Sequence, residues 1–260
     1  MSFRNEKVDA DLLFEGLRDL GVSNGANLIV HSSLSAFGEV AGGAEAVVRS
    51  LMRAVGASGT VVVPTFTGQV ADPHPDSRTT GDRRVDLARR QVPLFHKDLP
   101  TPMGKIPNTV LAWSGRHRSH HPQVSVAALG AHALDVTRRQ PLAYAVGKGS
   151  PFDWLHHHDA QILLLGVGHN RNSFLHYAES LIPNHRRKLR RFPYLVEQQR
   201  VWVEADDVGD DNGRFFPRVG AEFGELGNIK RSVIGRATCE LIDSVSFVEF
   251  ASKRLEELLS

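Results

Sequence analysis

The sequence predicts an α/β fold with parallel strands, and three stretches carry that expectation. Asn27-Leu28-Ile29-Val30-His31 is a short apolar run suited to a buried strand. Ala44 to Val55 combines good helix formers with a helical apolar period and is broken by Gly56 and Gly59. Thr60-Val61-Val62-Val63-Pro64 is a β-branched strand halted by proline. Strand, helix and strand within about 35 residues is the pattern of a parallel β-α-β unit.

The other elements follow in chain order. Leu12, Leu13, Leu17 and Leu20 recur at helical spacing between Asp9 and Leu20, and Gly21 is a stop signal. Residues Gln69 to Val92 are rich in Asp, Arg, Pro and His and poor in apolar side chains, so an exposed, mobile insertion or lid is expected there. Ser125 to Gly130 reads as a strand, Gln161 to Gly166 as a fully apolar strand for the sheet centre, and Phe174 to Leu181 as a helix. Phe192-Pro193-Tyr194-Leu195-Val196, a polar Glu197-Gln198-Gln199 turn and Val201-Trp202-Val203 read as a small β-hairpin. Val245 to Leu259 is an amphipathic helix. No repeat, low-complexity tract or linker divides the chain, so residues 1–260 are expected to form a single domain with 69–92 as its insertion.

Composition narrows the function. A hydrophobic content of 41% supports a substantial core, and no run reaches the roughly 18 to 20 apolar residues of a spanning helix. The first seven residues lack the apolar centre of a signal peptide, so a cytoplasmic location is expected. The one cysteine, Cys239, forms no internal disulfide and reads as a buried, inert thiol. A net charge of +2 sets up no overall field toward nucleic acid or anionic lipid, so neither is an expected partner and electrostatic function must be local. The densest basic run, His185 to Arg191, reads either as a solvated loop or helix face or as an anion site for a phosphorylated cofactor.

Several chemistries lack their motifs. No Gly-x-Gly-x-x-Gly follows the first strand, which argues against NAD, and no Gly-x-Ser-x-Gly elbow supports a serine hydrolase. The 13 histidines include His156-His157-His158, His117, His120 and His121; adjacent histidines on a helix point about 100° apart, whereas zinc sites use spacings that bring both imidazoles to one face, so no metal is expected. The acidic run Asp206 to Asp211 lacks the EF-hand pattern of a calcium loop.

Four groups of motifs, in order along nearly the whole chain, resemble the aminoglycoside 3-N-acetyltransferase family. The first is Val30-His31-Ser32-Ser33-Leu34 with Gly38 and Gly42-Gly43, followed by Gly59 to Phe66. The second is Met103-Gly104-Lys105-Ile106 leading to Arg118-Ser119-His120-His121-Pro122-Gln123-Val124-Ser125. Gly149-Ser150-Pro151-Phe152 and the stretch from Leu163 through Leu175-His176-Tyr177-Ala178-Glu179 form the third. The fourth joins Trp202-Val203-Glu204 to Asp206-Asp207-Val208-Gly209-Asp210-Asp211 and ends in a helix start expected at Ile234 to Ala237.

The resemblance implies a three-layer α/β/α sandwich with a central, mostly parallel sheet and a small hairpin or lid region. It also implies transfer of acetyl from acetyl-CoA to an aminoglycoside, at the 3-amino group of deoxystreptamine, by a monomer or homodimer without a metal. The same scaffold is compatible with another amine acceptor, an aminosugar or amino-phosphonate, or with a silent CoA-binding protein. The segment 69–92 looks longer than in members of the family and is expected to line the acceptor pocket.

Amine acylation needs a base to take a proton and a surface that holds a polycation. His176 suits the first task, because imidazole titrates near neutral pH. Glu179, three residues on, shares its helical face and is in reach of the ring or of an acceptor ammonium. Asp207 is expected to orient His176, and Asp72, Glu179, Asp206 and Asp210 to contact the acceptor. Ser32 and Ser33 at a strand end offer amide and hydroxyl donors for acetyl-CoA, with Arg118, Ser119 and Ser125 as a second wall. Lys105 or the basic run 185–191 is expected to meet the 3′-phosphate.

Overall fold

The computed structural model describes residues 7–77 and 81–260; residues 78–80 of the expected insertion lie outside the described part. Helix α1 (Ala10–Leu20), strand β1 (Asn27–Ser32), helix α2 (Gly43–Val55) and strand β2 (Thr60–Pro64) form the predicted opening. They are followed by α3 (Arg83–Gln91), α4 (Lys105–Ala112), β3 (His117–Arg118), β4 (Val126–Gly130), α5 (Ala133–Thr137) and α6 (Pro151–His157). Next come β5 (Gln161–Leu165), α7 (Phe174–Ser180), β6 (Arg187–Val196) and β7 (Gln199–Val208). The chain closes with α8 (Phe216–Glu225), β8 (Ile229–Ile234), β9 (Ala237–Asp243) and α9 (Ser244–Leu259).

Seven strands make one sheet in the order β3-β4-β2-β1-β5-β9-β8. Strands β2, β1 and β5 pair in parallel at its centre, while β4 and β9 run antiparallel to their neighbours. Because β3 and β8 are antiparallel to β4 and β9 in turn, only those two strands oppose the common direction. The centre is apolar for a simple reason: alternate side chains enter opposite cores. Leu28 and Val30 of β1 belong to the buried cluster that holds Leu17 of α1, Leu51 of α2 and Ile106 of α4. Ile29 belongs to the opposite cluster, with Phe152 of α6, Tyr177 of α7, Val219 of α8 and Phe247 of α9. The result is the α/β/α sandwich expected.

Three regions depart from the sequence reading. The hairpin β6–β7 runs from Arg187 to Val208, so the basic run is strand rather than loop or helix face, and Asp206 and Asp207 lie in the partner strand. Its turn residues Glu197 and Gln198 both take positive φ, 48° and 64°, as the favoured two-residue hairpin turn demands even without its usual glycine. Ile234 to Ala237 is no helix start but the turn between β8 and β9, with Ile234 paired to Ala237 and Gly235 at φ 60°. Among its described residues, segment 69–92 is tied to the body of the protein. Asp82 caps α3 by accepting from the amides of Arg84 and Val85, and Arg200 of β7 donates to the carbonyls of Arg89 and Val92, docking the segment on the hairpin.

Candidate active site

A cavity of about 790 Å³ opens at the carboxyl ends of the parallel strands, where open α/β sheets place ligands. Ser32 and Ser33 follow from β1, Pro64 ends β2, and Gly166 and Gly168 follow β5. Helices α2 and α4 begin at its rim behind Gly42 and Gly104, and neither has a side-chain cap; the Gly43 amide is taken by the Val40 carbonyl at 3.0 Å, which leaves the other first-turn amides, Pro107 excepted, to meet an anion. Lys105 and Arg171 add positive charge to the lining. Ser32 Oγ is buried with no hydrogen-bond partner, and His31 Nε2 is buried in the same condition on the cavity floor. Burial, with the nearby His169, lowers the His31 pKa to about 3, so this imidazole is neutral.

Arg118, Ser119 and Ser125 do not form the second wall of that cavity. Arg118 is consumed inside the protein: Nε donates to Ser125 Oγ at 3.1 Å, Nη1 to the Leu99 carbonyl at 2.6 Å and Nη2 to the Thr65 carbonyl at 3.0 Å. Ser119 Oγ accepts from the Val126 amide at 2.8 Å. These side chains bind the end of β2 to β3 and β4, a structural task that buried polar groups at a strand terminus must satisfy.

His176 lines a second cavity, of about 390 Å³, together with Asp72, Lys188, Arg190, Arg191 and Asp210. Asn172 shapes the start of α7 by accepting from the Phe174 amide, which sets the helix phase that turns His176 toward this cavity. The ring is half-buried, meets Phe216 edge-on at 4.7 Å between centroids, and keeps Nδ1 sealed without a hydrogen bond. Burial, then the charge of Arg190, pulls its pKa down to about 4, against the opposing pull of Asp210 and Asp211. His176 is therefore an unprotonated imidazole at neutral pH.

The carboxylates around it are arranged differently from the sequence reading. Glu179 is wholly buried and accepts from Arg186 Nε at 2.9 Å and Nη2 at 2.7 Å, so it meets no acceptor ammonium from solvent. Asp207 is equally buried, paired with Arg190 and accepting from the Val208 amide, and the carboxylates whose charge acts on His176 are Asp210 and Asp211 instead. Asp206 points to the exposed side of β7 and does not line the cavity. Asp72 does line it, yet its side chain is sealed by Arg89 and Arg191. Burial acts to raise its pKa, and the hydrogen bonds and charge of those arginines outweigh this and hold it below the ordinary carboxylate value. Asp210 remains the exposed member, in contact with Lys188.

The basic run thus serves the acidic residues rather than a 3′-phosphate. Arg186, Lys188 and Arg190 recur at the strand period of two and neutralise Glu179 with Asp211, Asp210, and Asp207 respectively. Sequence reasoning marked these cations for a phosphate and missed their pairing with the carboxylates. Their alternation opposite the acidic run Asp206 to Asp211 is the signal that marks them. Among the described residues, no three His, Cys, Asp or Glu side chains converge as a metal-ligand set.

Residues 29–256 match the family model described as aminoglycoside 3-N-acetyltransferase. The chain is 32% identical to the SPbeta prophage-derived aminoglycoside N(3')-acetyltransferase-like protein YokD of Bacillus subtilis (strain 168), across 92% of this chain and 89% of that one. The crystal structure of YokD superposes with a TM-score of 0.90 at 31% identity, over 97% of this chain and 94% of its own. Aminoglycoside N(3)-acetyltransferase III of Acinetobacter baumannii is 34% identical over 94% of this chain and 90% of its own. The structure of AAC-IIIb binary with CoASH aligns at a TM-score of 0.87 and 26% identity, covering 97% and 98% of the two chains. With this fold and these relatives, the chain belongs to the aminoglycoside 3-N-acetyltransferase family.

Proposed function

We propose that this protein transfers the acetyl group of acetyl-CoA to an aminoglycoside antibiotic, at the 3-amino group of the deoxystreptamine ring, and so confers resistance. The observation that carries the reading is His176: an unprotonated imidazole facing a cavity that also presents the exposed carboxylate of Asp210. The larger cavity suits the donor, because uncapped amides at α2 and α4, the free Ser32 hydroxyl, Lys105 and Arg171 match a polyanionic cosubstrate. When bound, acetyl-CoA supplies the thioester acyl group. The location is the cytoplasm, in keeping with that cosubstrate; among the described residues no helix is long and apolar enough to cross a membrane.

The protein's own part is proton transfer and orientation. An acceptor ammonium has no lone pair until a proton leaves, and His176 accepts that proton at Nε2, since Nδ1 is sealed in the core. Once charged, the ring is favoured by Asp210 and Asp211 and opposed by Arg190 and Arg186. Asp210 holds an acceptor ammonium. Asp207 and Glu179 act at one remove, fixing Arg190 and Arg186 beside the ring.

Free-thiol release from acetyl-CoA, measured across 4,6- and 4,5-disubstituted deoxystreptamines, tests the activity directly. Stoichiometric thiol and 3-N-acetylated product are expected. An enzyme that binds CoA and acetylates none of these amines would refute the reading.

A further inference from the structure

Two carboxylates line the His176 cavity, and they differ in one respect. The Asp72 side chain is 0% exposed and held by two arginines, whereas that of Asp210 is 51% exposed. Asp210 is therefore the one an incoming cation can reach. It is already engaged, because Lys188 Nζ lies 2.5 Å from its Oδ2. The cations that alternate with Lys188, Arg186 just before β6 and Arg190 within it, are arginines locked to carboxylates that are 0–4% exposed, with forked guanidinium groups and little freedom to leave. Lys188 is a single charge on a flexible stem, itself 36% exposed, and a half-solvated pair of this kind is weakly held.

We propose that Lys188 is a specificity-determining residue: its ammonium stands where an acceptor ammonium would contact Asp210, and a polycationic acceptor binds by displacing it. The inference rests on the acceptor site assigned above. Two consequences follow from competition between like charges. Acceptor affinity is set below what Asp210 alone would give, and the charge of Asp210 beside His176 is partly neutralised between turnovers. Retraction of Lys188 also leaves its charge close to the bound acceptor, which favours acceptors with fewer ammonium groups near that position.

Calorimetric binding of a 4,6-disubstituted deoxystreptamine to the CoA-loaded protein tests the displacement without requiring turnover. Lys188→Met should tighten that binding by roughly threefold to tenfold, the scale of one half-exposed ion pair removed from competition. Lys188→Gln should shift it the same way, with the Kd for CoA as the check on folding. Lys188→Met/Asp210→Asn should lose the gain, since the contested carboxylate is gone. Unchanged or weaker binding in both single variants would overturn the proposal, as would a gain that survives in the double variant. Tightening without thiol release by the wild type would instead sink the acetyltransferase reading and leave the role of Lys188 standing.

Discussion

Arg186 grips the buried carboxylate of Glu179 with two prongs, Nε to Oε1 and Nη2 to Oε2, and reaches Asp211 with Nη1 at 3.0 Å. One guanidinium thereby ties α7 to the segment before α8, where Asp211 also accepts from the Phe215 and Phe216 amides. Removing the cation leaves two nearly solvent-free carboxylates facing each other's charge. Arg186→Met should cost about 3–5 kcal/mol of stability, the range for a buried pair that loses one partner. The urea midpoint measures it, and a loss below about 1 kcal/mol would mean the carboxylates find water or another cation.

His176→Ala should lower kcat by about 10²-fold or more while leaving the Kd for CoA nearly intact, the usual scale for loss of a general base. The ring belongs to the smaller cavity and not to the one that suits CoA, so the two effects separate. Steady-state thiol release and calorimetry together check the split. An unchanged kcat would remove His176 from the chemistry.

Four imidazoles have depressed pKa values, each chiefly through burial: His31 and His121 at about 3, His176 at about 4, and His156 in the same direction. Below the unfolded value of 6.5 the unfolded chain takes up protons that the native protein refuses. The stabilising contribution is thus full above pH 6.5 and declines as pH falls toward 4 and then 3. Urea midpoints should drop steadily over that window. Nitrogen-15 NMR of the His176 ring should show its midpoint near 4, and a midpoint near 6.5 would show that the ring is solvated.

Gly166 sits between β5 and the larger cavity at φ 65°, and a Cβ there would lie 2.2 Å from the Ala36 Cβ. Gly166→Ala should therefore displace the turn that follows β5, at a cost of about 1–3 kcal/mol from strain and overpacking. The KM for acetyl-CoA should rise more than the KM for the acceptor. Equal rises in both would place the disturbance elsewhere than the donor cavity.

The central strands were legible because Leu28 to Val30, Val61 to Val63 and Ile162 to Leu165 are buried from both sides, which leaves an uninterrupted apolar run in the sequence. Strand β8 offers no such run. Lys230, Arg231 and Val233 face solvent at the sheet edge, and pairing with β9 makes it a strand. Helix α8 was missed because Gly220 and Gly224 weaken its local preference. Gly220 is there because His169 packs where a side chain would stand, with its Cγ 2.0 Å from a Cβ position.

At the site, His176 stood out through its neighbouring motifs, but its electrostatic partners did not. Lys188 is directly across the hairpin from Asp207, yet it pairs with Asp210, while Arg190 crosses diagonally to Asp207. Which carboxylate meets which cation depends on the hairpin's register and on the path of the chain after Val208. No count of charges along the sequence contains that information.

Cys239 lies in β9 with no exposed surface, its thiol donating to the Ala237 carbonyl and pushed by burial up to about 11. It is the only sulfhydryl in the chain. A thiol-reactive dye added to the native protein at neutral pH finds almost no thiolate to attack and no path to reach it. Any colour that develops during turnover reports the coenzyme product alone, and a slow protein-dependent signal in its absence becomes a direct readout of how often the sheet opens.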